Sequence, residues 1–235
     1  MTPAALLALA DQRLPSGGHV HSGQVEQAIG EGLIRDVATL ETFLERRLRS
    51  AGLVAAAIAA CTTRTIRARP DGASGEPAPD VPTAIRRLDG ETDARTPSPA
   101  QRAASRAQGR GLLRTARACW AAPSTHLAWS DLGPRPHSPV VLGCAAAAAG
   151  LIPDDAALAA AYLAVSAPST AAQRLLALDP VSVAAVTVRL GDAVEAVAAL
   201  AVADVPVDDL PDDSDPLLDL LAERHAAREE RLFAS

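Results

Sequence analysis

The sequence predicts an all-α fold, a single-domain multi-helix bundle. Three observations carry that prediction. Apolar residues recur at three- and four-residue spacing almost everywhere. Apolar residues make up 49% of the chain but aromatics only 2%, so the core must be built from Ala, Leu, Val and Ile, whose small side chains let helices approach closely. Breaks in the pattern fall at Pro, Gly and Asp-Pro pairs, while strand signals are weak: Val183 to Val188 is β-branched but sits inside a helical period.

Taken in order, Pro3 to Ala10 reads as a short first helix, broken by Pro15-Ser16-Gly17-Gly18. A second begins near Ser22, carries Val25, Ala28 and Ile29, and ends between Gly30 and Gly32. Asp36 is placed to N-cap a third, in which Leu40, Phe43, Leu44 and Leu48 form a core-facing stripe. Gly52 permits a break before a helix from Leu53 to about Ile66. Pro70 to Pro82 carries too many Pro and Gly for a helix or central strand and reads as a mobile loop inside the domain. Thr96-Pro97-Ser98-Pro99 starts a long helix ending near Trp120, and residues 121–136 are loop-like. Helices follow at about 138–149, 155–166, 169–177, 180–203 and 216–230, with Asp179-Pro180 and Asp215-Pro216 as N-cap and N1 pairs.

Charge and composition narrow the function. All 22 basic residues are Arg, so lysine chemistry is excluded: no Walker-A lysine, no Schiff base, no lysine base. A net charge of -6 argues against nucleic acid as a partner. No run is both long and apolar enough for a membrane span, and Met1-Thr2-Pro3 does not open a signal peptide, which points to the cytoplasm. Cys61, Cys119 and Cys144 are odd in number and widely spaced, and read as buried small hydrophobes.

The specific polar residues stand at the two ends. His19-Val20-His21 is the single close histidine pair. Two imidazoles can reach one nickel, copper or zinc ion, but two ligands do not close a site, and the plainer reading is a turn whose histidines hydrogen-bond to backbone or to a partner. Gly17-Gly18 lacks the rest of a phosphate loop, and no Gly-x-Ser-x-Gly elbow accompanies the serines. Arg106 and Arg110 lie one turn apart beside Gln108 and Gly109. Glycine within a helix costs about 1 kcal/mol relative to Ala, so close backbone approach or a functional surface is expected there. Arg231-Leu232-Phe233 places an Arg and an aromatic where chain ends fray, as a disordered end or as an anchor that orders on docking, to the chain itself or to a partner.

Several stretches together resemble the urease accessory protein UreF family, in its actinobacterial branch. They are Leu9-Ala10-Asp11 with Leu14-Pro15 and Gly17, His21-Ser22-Gly23 with Glu26, and Glu91 to Pro97. Ser105 to Leu112, Gly133 to His137 with Pro139-Val140-Val141, and Ala172 to Leu176 follow. The last are Glu223-Arg224-His225 and Arg231-Leu232-Phe233 with Ser235. Gln24 and Val25 stand where many members look like Gly-Leu. The resemblance implies a helical homodimer that is not an enzyme. It would work as a cytosolic adaptor with the accessory protein UreD (also called UreH) and the GTPase UreG, delivering nickel to the urease apoprotein. No cofactor would be bound tightly: nickel would be in transit, and GTP would sit on the partner only. The alternative is a direct nickel metallochaperone using His19 and His21. The expected partner-binding residues are Arg231, Leu232 and Phe233 with Arg224 and His225, in a docking tail over about 224–235. Asp11, His21, Ser22 and Glu26 form a second group, and Arg106, Gln108 and Arg110 a third.

Overall fold

The computed structural model describes residues 3–15, 20–68 and 80–235, and among them the regular structure is helical throughout. The α-helices are α1 (Pro3–Ala10), α2 (Val25–Gly30), α3 (Val37–Arg47), α4 (Leu53–Arg67), α5 (Val81–Ala94) and α6 (Pro99–Cys119). They continue with α7 (Ser138–Ala148), α8 (Pro153–Leu176), α9 (Pro180–Arg189), α10 (Gly191–Ala201) and α11 (Pro216–Ala226).

Helix α4 is the centre. It packs against α7, α8 and α10, and its residues from Ala56 to Thr63 are all buried. Six alanines on α4 and α7 (Ala56, Ala57, Ala59, Ala60, Ala145, Ala146) are almost fully enclosed, so the alanine-rich composition serves as close helix packing. This centre admits two buried threonines: Thr63 Oγ1 donates to the Ala59 or Gly143 carbonyl, at 2.9 and 3.0 Å, whereas Thr62 Oγ1 has no partner among the described residues. The predicted stripe on α3 faces the core, with Leu40, Leu44 and Leu48 fully buried and Phe43 nearly so. Four caps hold helix starts. Asp36 and Thr39 form a reciprocal capping box on α3, and Ser98, Asp179 and Asp215 accept backbone N–H groups at α6, α9 and α11.

The structure corrects the sequence reading at several boundaries. Gly52 is not a break. Helix α3 runs through a π turn, Leu48–Gly52, directly into α4, and Gly52 leaves room there for the Ala164 methyl and the Arg47 carbonyl, each 3.2 Å from where a Cβ would stand. The segments expected at 155–166 and 169–177 are one helix, α8, with Pro168 inside it. The cost of an interior proline, about 3 kcal/mol, is outweighed because α8 is buried on both sides of it, against α1, α3, α4 and α10. Conversely, the helix expected at 180–203 is two, because Leu190 is buried at ψ 0° and turns the chain into Gly191. Val81 and Pro82, assigned to the loop over 70–82, form the first turn of α5, where proline loses no helix bond; residues 70–79 of that loop lie outside the described residues. Helix α5 is not among the helices the sequence predicts, yet Ile85, Leu88 and Thr92 are buried along one face of it. Cys61 and Cys144 are buried as expected, but Cys119, the last residue of α6, is exposed.

Candidate functional site

The two ends of the chain meet. Helix α11 packs on α2 and α6. This brings His225 against Glu26, with Nε2 donating to the carboxylate at 2.9 Å and both residues buried. The chain then leaves α11 and folds back over α2. The same carboxylate accepts the backbone N–H of Leu232 at 2.9 Å and of Phe233 at 3.0 Å. Farther along, the Ala234 N–H donates to the Val20 carbonyl at 2.7 Å, and the Ser22 N–H donates to the Ser235 carbonyl at 2.5 Å. That carbonyl also accepts from the Ser22 hydroxyl, and the His21 Nδ1 pairs with the Ser235 hydroxyl at 2.5 Å. One carboxylate and two short stretches of backbone therefore hold the tail.

Burial pushes the Glu26 carboxyl up, but the hydrogen bonds from Leu232, His225 and Phe233 outweigh it and hold the group below its ordinary value. Glu26 is therefore an anion and a pure acceptor at neutral pH, matched to three donors. The side chains on this docked tail point the other way. Leu232 is 81% exposed, Arg231 is exposed and Phe233 half-buried. Arg224 is exposed on α11 and reaches Glu31 at 2.9 Å.

A second polar cluster joins α5, α6 and the start of α7. Arg106 reaches Asp89 at 3.0 Å, Asp93 at 2.5 Å and the Arg135 carbonyl at 2.6 Å. His137 is fully buried between Asp93, 2.8 Å from Nε2, and the Ser105 hydroxyl, 2.9 Å from Nδ1. The Asp93 carboxylate can only accept, so Nε2 carries the proton and Ser105 donates to Nδ1. Burial lowers the His137 pKa, and its bond to Asp93 only partly restores it. Gly109 explains the closeness. A Cβ there would lie 2.0 Å from the Pro136 carbonyl oxygen, so the 136–138 backbone rests directly on α6.

The residues expected at the site therefore divide. His21, Ser22, Glu26, His225, Leu232 and Phe233 come together in the tail dock. Asp11 stands apart and pairs with Arg13. Arg106 is spent on the α5–α6–α7 cluster, Gln108 lines a cavity beside the dock, and Arg110 is exposed. His19 lies outside the described residues, and among those described no three His, Cys, Asp or Glu side chains are grouped to hold a metal ion.

The UreF family model matches residues 34–191. The chain belongs to the UreF family. Relatives match it end to end. A urease accessory protein UreF of Mycolicibacterium vanbaalenii is 51% identical over 232 residues, covering 99% of this chain and 98% of its own. Those of Mycobacterium marinum and Mycobacterium tuberculosis are 51% and 49% identical, covering 100% and 99% of this chain and 99% and 98% of their own. Membership makes this a urease accessory protein by family. The matched region stops short of both halves of the tail dock, which the full-length relatives span. No helix among the described residues is long and apolar enough to cross a membrane.

Reading residues in order missed Asp89, Asp93 and His137 as partners of Arg106. A signal was available: Asp89 and Asp93 are one turn apart on the amphipathic α5, as Arg106 and Arg110 are on α6. It also missed Gln24, a non-glycine residue in the left-handed region at φ +70°.

Proposed function

We propose that this UreF-family protein is a helical adaptor and not an enzyme. It assembles in the cytoplasm, as a homodimer, with UreD and the GTPase UreG, and couples that partner's GTP cycle to delivery of nickel into urease. Nickel is cargo in transit, and the nucleotide belongs to the partner. One observation supports this reading most. The tail is pinned through its backbone to Glu26, while Arg231 and Leu232 stand free in solvent. A segment anchored by its main chain offers its side chains outward, and Arg with large apolar groups are common interface anchors. Further exposed apolar side chains, Leu7 on α1, Val181 and Val188 on α9 and Leu200 on α10, fit surfaces that a partner or a second copy covers.

The test is co-expression of the tagged chain with UreD and UreG, with and without GTP and nickel. A stable ternary complex is expected. Deleting residues 231–235 is expected to abolish it while helicity by circular dichroism stays at the level of the intact chain. Unchanged co-purification of UreD with the shortened chain would sink the tail's role.

A further inference from the structure

Beside the tail dock, between residues 11–14, residues 21–24, the π turn and helices α4, α6 and α8, lies a cavity of about 460 Å³. Val54, Leu112 and Ala164 give it an apolar wall, and Gln101 and Gln108 supply neutral polar groups. Arg47, the last residue of α3, also faces it. This guanidinium is unlike its neighbours. Arg13 and Arg95, which line the same cavity, each hold a carboxylate, Asp11 and Glu91, and Arg174, which also lines it, is exposed to solvent. Arg47 has none among the described residues. Its Nη1 donates to the Gln24 amide oxygen, and its enclosed Nε has no acceptor. Gly23 covers the guanidinium closely enough that a Cβ there would lie 3.3 Å from Cζ and 3.4 Å from Nε. Burial lowers the Arg47 pKa to about 10, with no nearby opposite charge to raise it again. The group is still a cation at neutral pH.

An enclosed charge without a counter-charge is costly, and folded proteins balance such charges with a partner. The carboxylates around the cavity are committed elsewhere: Asp11 to Arg13, Asp215 to Arg46 and the α11 cap, Asp219 to Gln101. Asp213 is exposed. None of these carboxylates pairs with Arg47.

We propose that the cavity binds a small organic carboxylate, its anionic end on Arg47 and its carbon body against Val54, Leu112 and Ala164. A single enclosed and unpaired guanidinium matches a monoanion, whereas a phosphate dianion calls for several donors. The volume lies within the range of small-molecule pockets, roughly 300–1,000 Å³. This site is independent of the adaptor reading, although Phe233 and Ser235 of the docked tail also line the cavity.

The test uses the full chain and sodium butyrate, with sodium chloride and sodium phosphate at matched ionic strength as controls. Butyrate is expected to shift the Arg47 Nε–Hε NMR resonance saturably and to raise Tm. Arg47→Gln is expected to weaken butyrate binding at least tenfold. Ala55→Leu, which fills the cavity and leaves the guanidinium in place, is expected to do the same, and it decides the matter should Arg47→Gln not fold. Equal responses to butyrate and chloride, tighter binding of phosphate, or wild-type butyrate binding by Ala55→Leu would each overturn the proposal.

Discussion

The tail dock and the α5–α6–α7 cluster use the same chemistry, a carboxylate on a buried histidine, to opposite ends. In the cluster, Asp93 and His137 are locked between helices that themselves pack, and the backbone over Gly109 leaves no room for movement. In the dock, Glu26 and His225 are both buried, the carboxylate more deeply than Asp93, but the last five residues depend on a handful of polar bonds and bury little apolar surface. The difference teaches what each can do. A polar cluster clamped by packing opens only when the domain unfolds, whereas one that tethers a bare segment of backbone can let go by itself.

The sharpest way to break this comparison is to remove the clamp. Gly109→Ala places a methyl against the Pro136 carbonyl, with backbone on both sides and nothing flexible to yield. It is expected to cost about 3 kcal/mol or more, read as a loss in chemical denaturation, with the tail amides of Leu232 and Phe233 changing only as global stability does. A cost under about 1 kcal/mol would show that the 136–138 loop is free to lift.

A matched pair of substitutions comes next. Asp93→Asn and Glu26→Gln each remove one charge and keep the shape. Asp93→Asn is expected to lower global stability by about 1–3 kcal/mol, since the amide keeps one acceptor oxygen and sets its NH2 against the other donor, Arg106 or His137. Glu26→Gln is expected to leave global stability within about 1 kcal/mol, yet to speed hydrogen exchange at Leu232 and Phe233 by tenfold or more, as hydrogen bonds to a charged acceptor contribute about 1.5–3 kcal/mol locally. Equal effects on global stability would erase the distinction.

The smallest effect is in pH. His137 has a folded pKa below its unfolded value of 6.5, so the unfolded chain takes up the proton first. Its contribution is complete above 6.5 and is lost as pH falls from there towards the folded value. Glu26 is also held below its ordinary 4.5, so its contribution is complete above 4.5 and is lost at lower pH, as it protonates. Acid titration is therefore expected to lower Tm from about pH 6.5 while the Leu232 and Phe233 amides keep their protection relative to the core, and to release them only below 4.5. Tail amides that open first, between pH 6.5 and 5, would reverse this order.

The fold was readable where physics acts locally. Asp36, Asp179 and Asp215 announce helix starts because a short acceptor beside free N–H groups is decisive within four residues. Pro168 and Gly52 misled for the opposite reason. Their local preference for a break is overruled by burial on α8 and α4, which no short window contains. The same holds for the site. His21, Ser22, Glu26 and the Arg231-Leu232-Phe233 run stood out by residue type, but nothing in their spacing shows that they bind one another. Arg47 carried no mark at all, since its distinction is the lack of a carboxylate in three dimensions.

The position of Glu26 has a kinetic consequence. Its contact with Leu232 closes a stretch of 206 residues, so in the unfolded chain that contact is entropically remote. Once α11 seats and His225 reaches Glu26, the span still to close is about seven residues, and the closure cost falls by about 3 kcal/mol. The tail is therefore expected to arrive last, after the bundle has assembled, and a chain whose core is incomplete has no formed groove in which to lay it. Its order of arrival makes the docked end a report on whether the rest of the molecule has finished folding.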